Sequence, residues 1–175
     1  YFHFAKGGSY SPFYADIYLK VNWADQGNEM ETFSGSVIRN SDYYFRPGLT
    51  WTNSTTSELS LRALPKQCVF GHMGPSAFFN FSKFISIIGM MHSKVVAALI
   101  KMQLGLAAAG RKHYEVGIIN RTPLPDLEES ISNDLTTYSQ TAWSQKRRPD
   151  TANTTSHAFV APALAPGRSN AAHSN

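Results

Sequence analysis

The chain has 175 residues, 42% hydrophobic and 13% aromatic, with a formal charge of +4 and a sequence pI near 9.2. That length suits one domain, or one β-rich lobe with a helical appendage, and the apolar content excludes a disordered polyelectrolyte. The single Cys68 excludes an internal disulfide framework and fits a reducing cytoplasm, where it reads as a small buried hydrophobe.

Tyr1 is not a methionine, which suggests a piece of a longer protein, and neither a signal peptide nor a run of membrane-spanning length is evident. Lys6-Gly7-Gly8 fits a simple turn, and equally a backbone that approaches a ligand closely with a lysine in reach of phosphate. Phe13–Trp23 alternates imperfectly and predicts a strand with Tyr14, Ile17, Leu19 and Val21 inward. Ala24–Thr32 reads as a polar, acidic loop that would repel phosphate. Val37-Ile38 and Tyr43–Phe45 are apolar patches separated by a turn at Arg39–Asp42, and Pro47-Gly48 is another turn.

Leu49–Thr52, Leu59–Ala63 and Cys68–Phe70 predict short strands, with a polar stretch Asn53–Ser57 between the first two. Arg46 and Arg62 flank that stretch and Trp51 stands at its base. Hydroxyl, amide and guanidinium groups around one loop suit the reading of a polar polymer. A polar hairpin loop with two solvated arginines fits the same residues. Trp51 as core, and Arg62 paired with Glu58, also stay open.

From Ser82 the apolar spacing becomes helical: Phe84, Ile85, Ile88, Met91, then Val95, Val96, Leu99, Ile100, Met102. Ser82 is a candidate N-cap and His92-Ser93 interrupts the run, which predicts helices over about 82–91 and 94–106. Gly110 and two cations would close the second. Tyr114–Ile119 predicts a return strand. Asp126–Arg148 predicts a final helix, acidic at its start, basic at Lys146-Arg147-Arg148, and stopped by Pro149. Beyond Pro162 the composition is that of a tail. Fold class is therefore α+β: a small mixed or antiparallel β-rich lobe (1–80), a buried helical pair, a return strand and a C-terminal helix.

Catalytic signatures are absent. The histidines lack metal-ligand spacing, no phosphate-binding glycine loop occurs, and no nucleophile elbow is present. Asn-x-Ser/Thr triplets at Asn53, Asn80, Asn120 and Asn153 are ascribed to abundant Ser and Thr.

The segments YYFRPGLTW, LSLRALPKQCVFGHMGP and YEVGIINRTPLP resemble, in order, the C-terminal target-recognition region of adenine-specific DNA methyltransferases. The resemblance is to the bacteriophage-exclusion (BREX) PglX type and to related single-chain restriction–modification enzymes. FAKGGSYSPFYADIYLKVNW and WSQKRRPDTANTTSHAF are similar to the same family at either end. The resemblance implies a target-recognition domain over 1–125 and a C-terminal helix with its following segment over 126–161. Its partners would be double-stranded DNA and a methyltransferase domain, with no membrane. It further implies a groove-facing surface of Arg46, Trp51, Thr52, Asn53, Thr55 and Arg62, with Lys6, Lys66, His72 and Arg121 toward the backbone. The family's Asn/Asp-Pro-Pro-aromatic motif is missing. The catalytic domain and its S-adenosylmethionine are therefore expected elsewhere, with no cofactor in this piece. A protein-docking scaffold is the alternative, its apolar helices seating a partner domain.

Overall fold

A computed structural model describes residues 1–79, 84–105 and 110–162. The fold is mixed α+β, with strands of two to four residues in three small sheets. In the first, β1 (Phe2–Ala5) lies between antiparallel β2 (Lys20–Val21) and parallel β6 (Cys68–Phe70). In the second, β3 (Gly48–Thr50) pairs antiparallel with β5 (Arg62–Leu64) and β7 (Ser76–Ala77). The third joins β4 (Ser54–Thr55) to β8 (Lys112–His113).

β3 is buried on both faces. Leu49 enters the main core, while Thr50 donates its hydroxyl to Pro75 O at 3.0 Å. Residues at the β3 end of this sheet (Leu49, Trp51, Leu61) pack against Ile88, Met90 and Met91 of α2 (Phe84–Met91). They also meet Val96, Ile100 and Leu104 of α3 (Lys94–Leu104). Full burial of each such side chain is worth about 1.5–3 kcal/mol. A second cluster joins Ala5, Ile17, Leu64 and Cys68, and a third joins Trp23, Tyr44 and Val69. Cys68 is 1% exposed, and burial pushes its thiol up to about 11, which removes it as a nucleophile at neutral pH.

The break between α2 and α3 has a local cause. Ser93 is the N-cap of α3, its hydroxyl accepting from Val96 N at 3.2 Å. Gly105, at φ 56°, ends α3. The expected cap Ser82 and part of the expected closing turn, Ala107–Ala109, lie outside the described residues, as does the tail beyond Pro162. Among the described residues no single helix is long and apolar enough to cross a membrane. α2 and α3, bent by 65°, meet that length and composition only as a pair, and both are anchored in the core above.

Two expected strands are corrected. Over Phe13–Trp23 only Lys20–Val21 is strand. Phe13 has φ 70°, and Ile17 is held by its carbonyl, which accepts from His3 Nδ1 at 2.7 Å. Tyr14 and Ile17 are buried as expected, but Leu19 is exposed. The return strand falls at Lys112–His113, while Val116–Arg121 forms a short helix, α4. Tyr114 is drawn into the core and Val116 stays on the surface, so the following isoleucines pack on a helical, not an alternating, period. Ala24–Thr32 is a 3₁₀ turn (Ala24–Gly27) leading into α1 (Asn28–Thr32), and Val37 is exposed. The final helix, α5, spans Glu129–Arg147, and a 3₁₀ turn containing Pro149 follows it. α5 packs along α2, where a Cβ on Gly89 would collide with Ser139 Oγ.

Candidate functional site

Thr52, just beyond β3, is the hub of a polar network. Its hydroxyl donates to Gly8 O at 2.8 Å and accepts from Gly8 N at 3.0 Å and Arg62 Nη2 at 2.6 Å. Arg62 Nη1 donates to Ser9 O at 3.2 Å. Gly7 has φ +85°, a conformation glycine adopts without strain, and a Cβ there would stand 2.7 Å from Met73 O. Met73 O also accepts from Asn53 N at 3.0 Å. Three distant segments therefore converge: the Lys6–Ser9 loop, Thr52-Asn53, and the turn Gly71–Gly74, which carries the exposed His72.

The stretch after Asn53 is not a free loop. Ser54 and Thr55 are half-buried and pair with His113 and Lys112. Arg111 Nη1 donates to Ser54 Oγ at 3.4 Å. Lys112 Nζ meets Glu58 at 2.8 Å, so Glu58 pairs with this lysine and not with Arg62. Asn53 Oδ1 is buried without a hydrogen-bond partner.

Trp51 and Arg62 are withdrawn from the surface, at 1% and 4% exposure. A groove-facing role for the Trp51 ring is therefore corrected to a core role: its Nε1 donates to Tyr114 O at 2.6 Å. Burial holds the Arg62 guanidinium below its usual range. Arg46 and Lys66 are exposed near the opposite, Gly48/Leu64 end of the β3–β5 ladder, with the Arg46 guanidinium 5.2 Å from the Tyr43 ring centre. Arg121 stands on α4, its Nε donating to Gly117 O. Lys6, Thr52, Asn53, Arg62 and His72 are thus brought together, with Thr55 along the same edge. Arg46, Lys66 and Arg121 lie apart from that hub.

A second polar cluster had no signal in the sequence, because its members stand 140 residues apart. Asp16 Oδ1 lies 2.5 Å from His157 Nδ1 and accepts from Ser156 Oγ at 2.8 Å and His157 N at 3.1 Å. His157 stacks on Tyr14, whose buried hydroxyl makes no hydrogen bond of good geometry. The cluster fastens the segment after α5 to the first lobe. Burial pushes the Asp16 carboxyl up, but the bonds from the His157 ring, Ser156 and the His157 amide outweigh it and hold the net value below the usual range. With the folded value depressed, Asp16 contributes stability above the ordinary carboxylate pKa of about 3.9. That contribution is lost as pH falls through the folded value. Asp16→Asn is expected to lose about 1–2 kcal/mol near neutrality. The difference from wild type should shrink as pH falls below the ordinary carboxylate range, as urea unfolding across a pH series would measure.

No family model matches the chain. Over 152 residues it is 28% identical to the adenine-specific methyltransferase BrxX of Escherichia coli O9:H4 (strain HS). The match covers 82% of this chain and 12% of that protein, so the chain spans a small part of its relative's length.

Proposed function

We propose that the chain is the DNA-binding target-recognition part of a site-specific adenine-N6 DNA methyltransferase serving restriction–modification or phage defence. The observation that carries this reading is the similarity to an adenine-specific methyltransferase over 82% of the chain. In it, transfer from S-adenosylmethionine belongs to a catalytic domain outside these 175 residues, since no Asn/Asp-Pro-Pro motif occurs in them. Such chemistry needs the adenine extruded from the duplex, and a recognition part holds the flanking sequence while that happens.

The convergence around Thr52 suits this task. Thr52, Asn53 and Thr55 line one polar edge, with Lys6 and His72 exposed beside it. Arg46, Lys66 and Arg121 are exposed cations that stand apart from the hub, open to backbone phosphate in this reading. Bidentate pairing by an arginine or asparagine discriminates bases by about 1–3 kcal/mol. Lysines placed on phosphates add affinity without sequence information.

The test is duplex binding against a salt series, with a random-sequence pool to reveal enriched sites. The protein should bind with a steep salt dependence, and a Lys6→Ala/Arg46→Ala variant should flatten the log–log slope by about 1–2. Both side chains are exposed, so the fold should survive. A folded protein that binds no duplex at any salt would sink the reading.

One observation favours the alternative of a docking scaffold. Val95 and Met102, on one face of α3, are 70% and 78% exposed, apolar side chains that a partner domain would cover. A scaffold would bind no duplex, and its Val95→Ser/Met102→Ser variant would lose a protein partner instead.

A further inference from the structure

Lys6–Pro12 leaves β1 as a loop that belongs to no helix or strand, and its carbonyls are turned inward. Gly8 O accepts from the Thr52 hydroxyl at 2.8 Å, Ser9 O from Arg62 Nη1 at 3.2 Å and Pro12 O from Lys146 Nζ at 3.0 Å. Lys146, near the end of α5, also donates to Ser11 Oγ at 3.0 Å. One cation from β5 and one from α5 thus hold the same loop. They repel each other: burial, and then the Arg62 charge, hold the Lys146 ammonium below the usual lysine range. Lys146 is a surface residue with water in reach, yet its ammonium makes two bonds to the loop against that repulsion.

Arg62 is not free for a ligand. It is 4% exposed, and its Nη2 is engaged by the Thr52 hydroxyl at 2.6 Å as its Nη1 is by Ser9 O. A planar guanidinium that donates to two neighbours fixes their spacing, here that of Thr52 and the loop. The loop's outer side then carries the exposed Lys6 side chain, Tyr10 at 53% exposure, and the amides of Ser9 and Tyr10, which are not bonded among the described residues. Donors outward and carbonyls inward suit a phosphate, whose oxygens accept hydrogen bonds and are repelled by carbonyl oxygens.

We propose that Arg62 and Lys146 are positioning residues: they hold the Lys6–Pro12 loop so that its outer side meets duplex backbone phosphate, and they touch no phosphate themselves. Lys6 is then the cation of this loop that neutralises a phosphate. Arg62, whose residue type suits a groove-facing role, acts only through the loop and through Thr52. This role rests on the DNA-recognition reading above.

The experiment compares wild type with Lys6→Ala, Lys146→Gln, Lys146→Arg and Arg62→Lys by two readouts. One is hydrogen exchange at Gly8 N–H without DNA, and the other is duplex affinity across a salt series. Lys146→Gln and Arg62→Lys should each speed Gly8 exchange and weaken duplex binding by about 2- to 10-fold, the equivalent of one ordinary hydrogen bond. Their log–log salt slope should stay that of wild type, because no phosphate contact is lost. Lys146→Arg keeps donors and charge and should restore both readouts. Lys6→Ala should leave Gly8 exchange alone and flatten the slope by about one charge. The role is overturned if Lys146→Gln flattens the slope as Lys6→Ala does, which would mark a direct phosphate contact. Unchanged Gly8 exchange in Lys146→Gln overturns it as well, and so does faster exchange with wild-type affinity, which would mark a merely structural bond. Lys146 is a surface residue, so these outcomes stand even if Arg62→Lys fails to fold. A wild type that binds no duplex sinks the DNA reading and this role with it, whereas binding that ignores Lys146→Gln sinks this role alone.

Discussion

Trp51→Ala is expected to destabilise the protein by about 3–5 kcal/mol, a large share of the 5–15 kcal/mol typical of a domain. The indole is 1% exposed at the end of β3, among Leu49, Leu61 and the residues of α2 and α3. Its Nε1 donates to the carbonyl of Tyr114, another 1% exposed residue, whose amide donates to Asn53 O at 2.7 Å. Burial, and after it the Glu58 charge, pushes the Tyr114 phenol up to about 12, so this ring stays neutral. The Trp51–Tyr114–Asn53 chain therefore sets where the Ser54–Thr55 edge lies. Trp51→Phe keeps most of the apolar area but strands the Tyr114 carbonyl, and should cost about 1–3 kcal/mol. Urea unfolding of both variants measures this. If Trp51→Phe instead kept full stability and lost duplex binding, the ring would be stacking on a base and the core assignment would fail.

The elements readable in the sequence are those with local causes. Cys68–Phe70 is an apolar run between turns, and it is a strand over those same residues. The break at His92-Ser93 was visible because an N-cap acts within its own turn, through Ser93 and Val96. His92 adds a tertiary contact that no local pattern carries: its Nε2 accepts from Leu61 N at 3.1 Å. The misread elements are those decided at a distance. Ser54–Thr55 is a strand only because Lys112–His113 reaches it, and two residues carry no periodicity. Tyr114–Ile119 has strand composition, yet the pull of Trp51 on Tyr114 turns the chain into α4.

The candidate site was legible in the same uneven way. Arg62 and Trp51 stand beside the polar stretch in the chain, but chain proximity says nothing of depth. On β5, Arg62 and Leu64 share a face, and both are buried. That alternation puts the arginine inside, where residue type alone would set it in solvent. The approach of Lys6–Ser9 to Thr52 spans 44 residues, and that of Lys146 to Ser11 spans 135. Such meetings are set by the packing of whole elements and leave no trace in spacing.

Glycine substitutions separate backbone freedom from close approach, and they give the second large effect. A Cβ on Gly74 would lie 2.6 Å from Ala5 O and 2.7 Å from Gly7 N, both main-chain atoms. Gly74 is not among the glycines with positive φ, so the whole penalty of Gly74→Ala comes from contact and none from its own backbone conformation. Neither neighbour can swing aside as a side-chain tip would, because Ala5 belongs to β1 and its carbonyl accepts from Gly71 N. The expected cost is about 2–3 kcal/mol, the upper part of the range for overpacking. It should fall first on the Lys6–Ser9 loop, where hydrogen exchange at Gly8 N–H reports loss of the bond to Thr52. Duplex binding should drop with it if the loop belongs to the proposed DNA-binding surface. Gly117→Ala on α4 has open space around its Cβ and should be neutral or stabilising by up to about 1 kcal/mol, from helix propensity. Opposite signs for these two replacements would show that the convergence of the Gly71–Gly74 turn on the Lys6–Ser9 loop is a real constraint. Equal, small effects would mean that the loop stands farther from Gly74 than 2.7 Å, and the site built on it would fall with that contact.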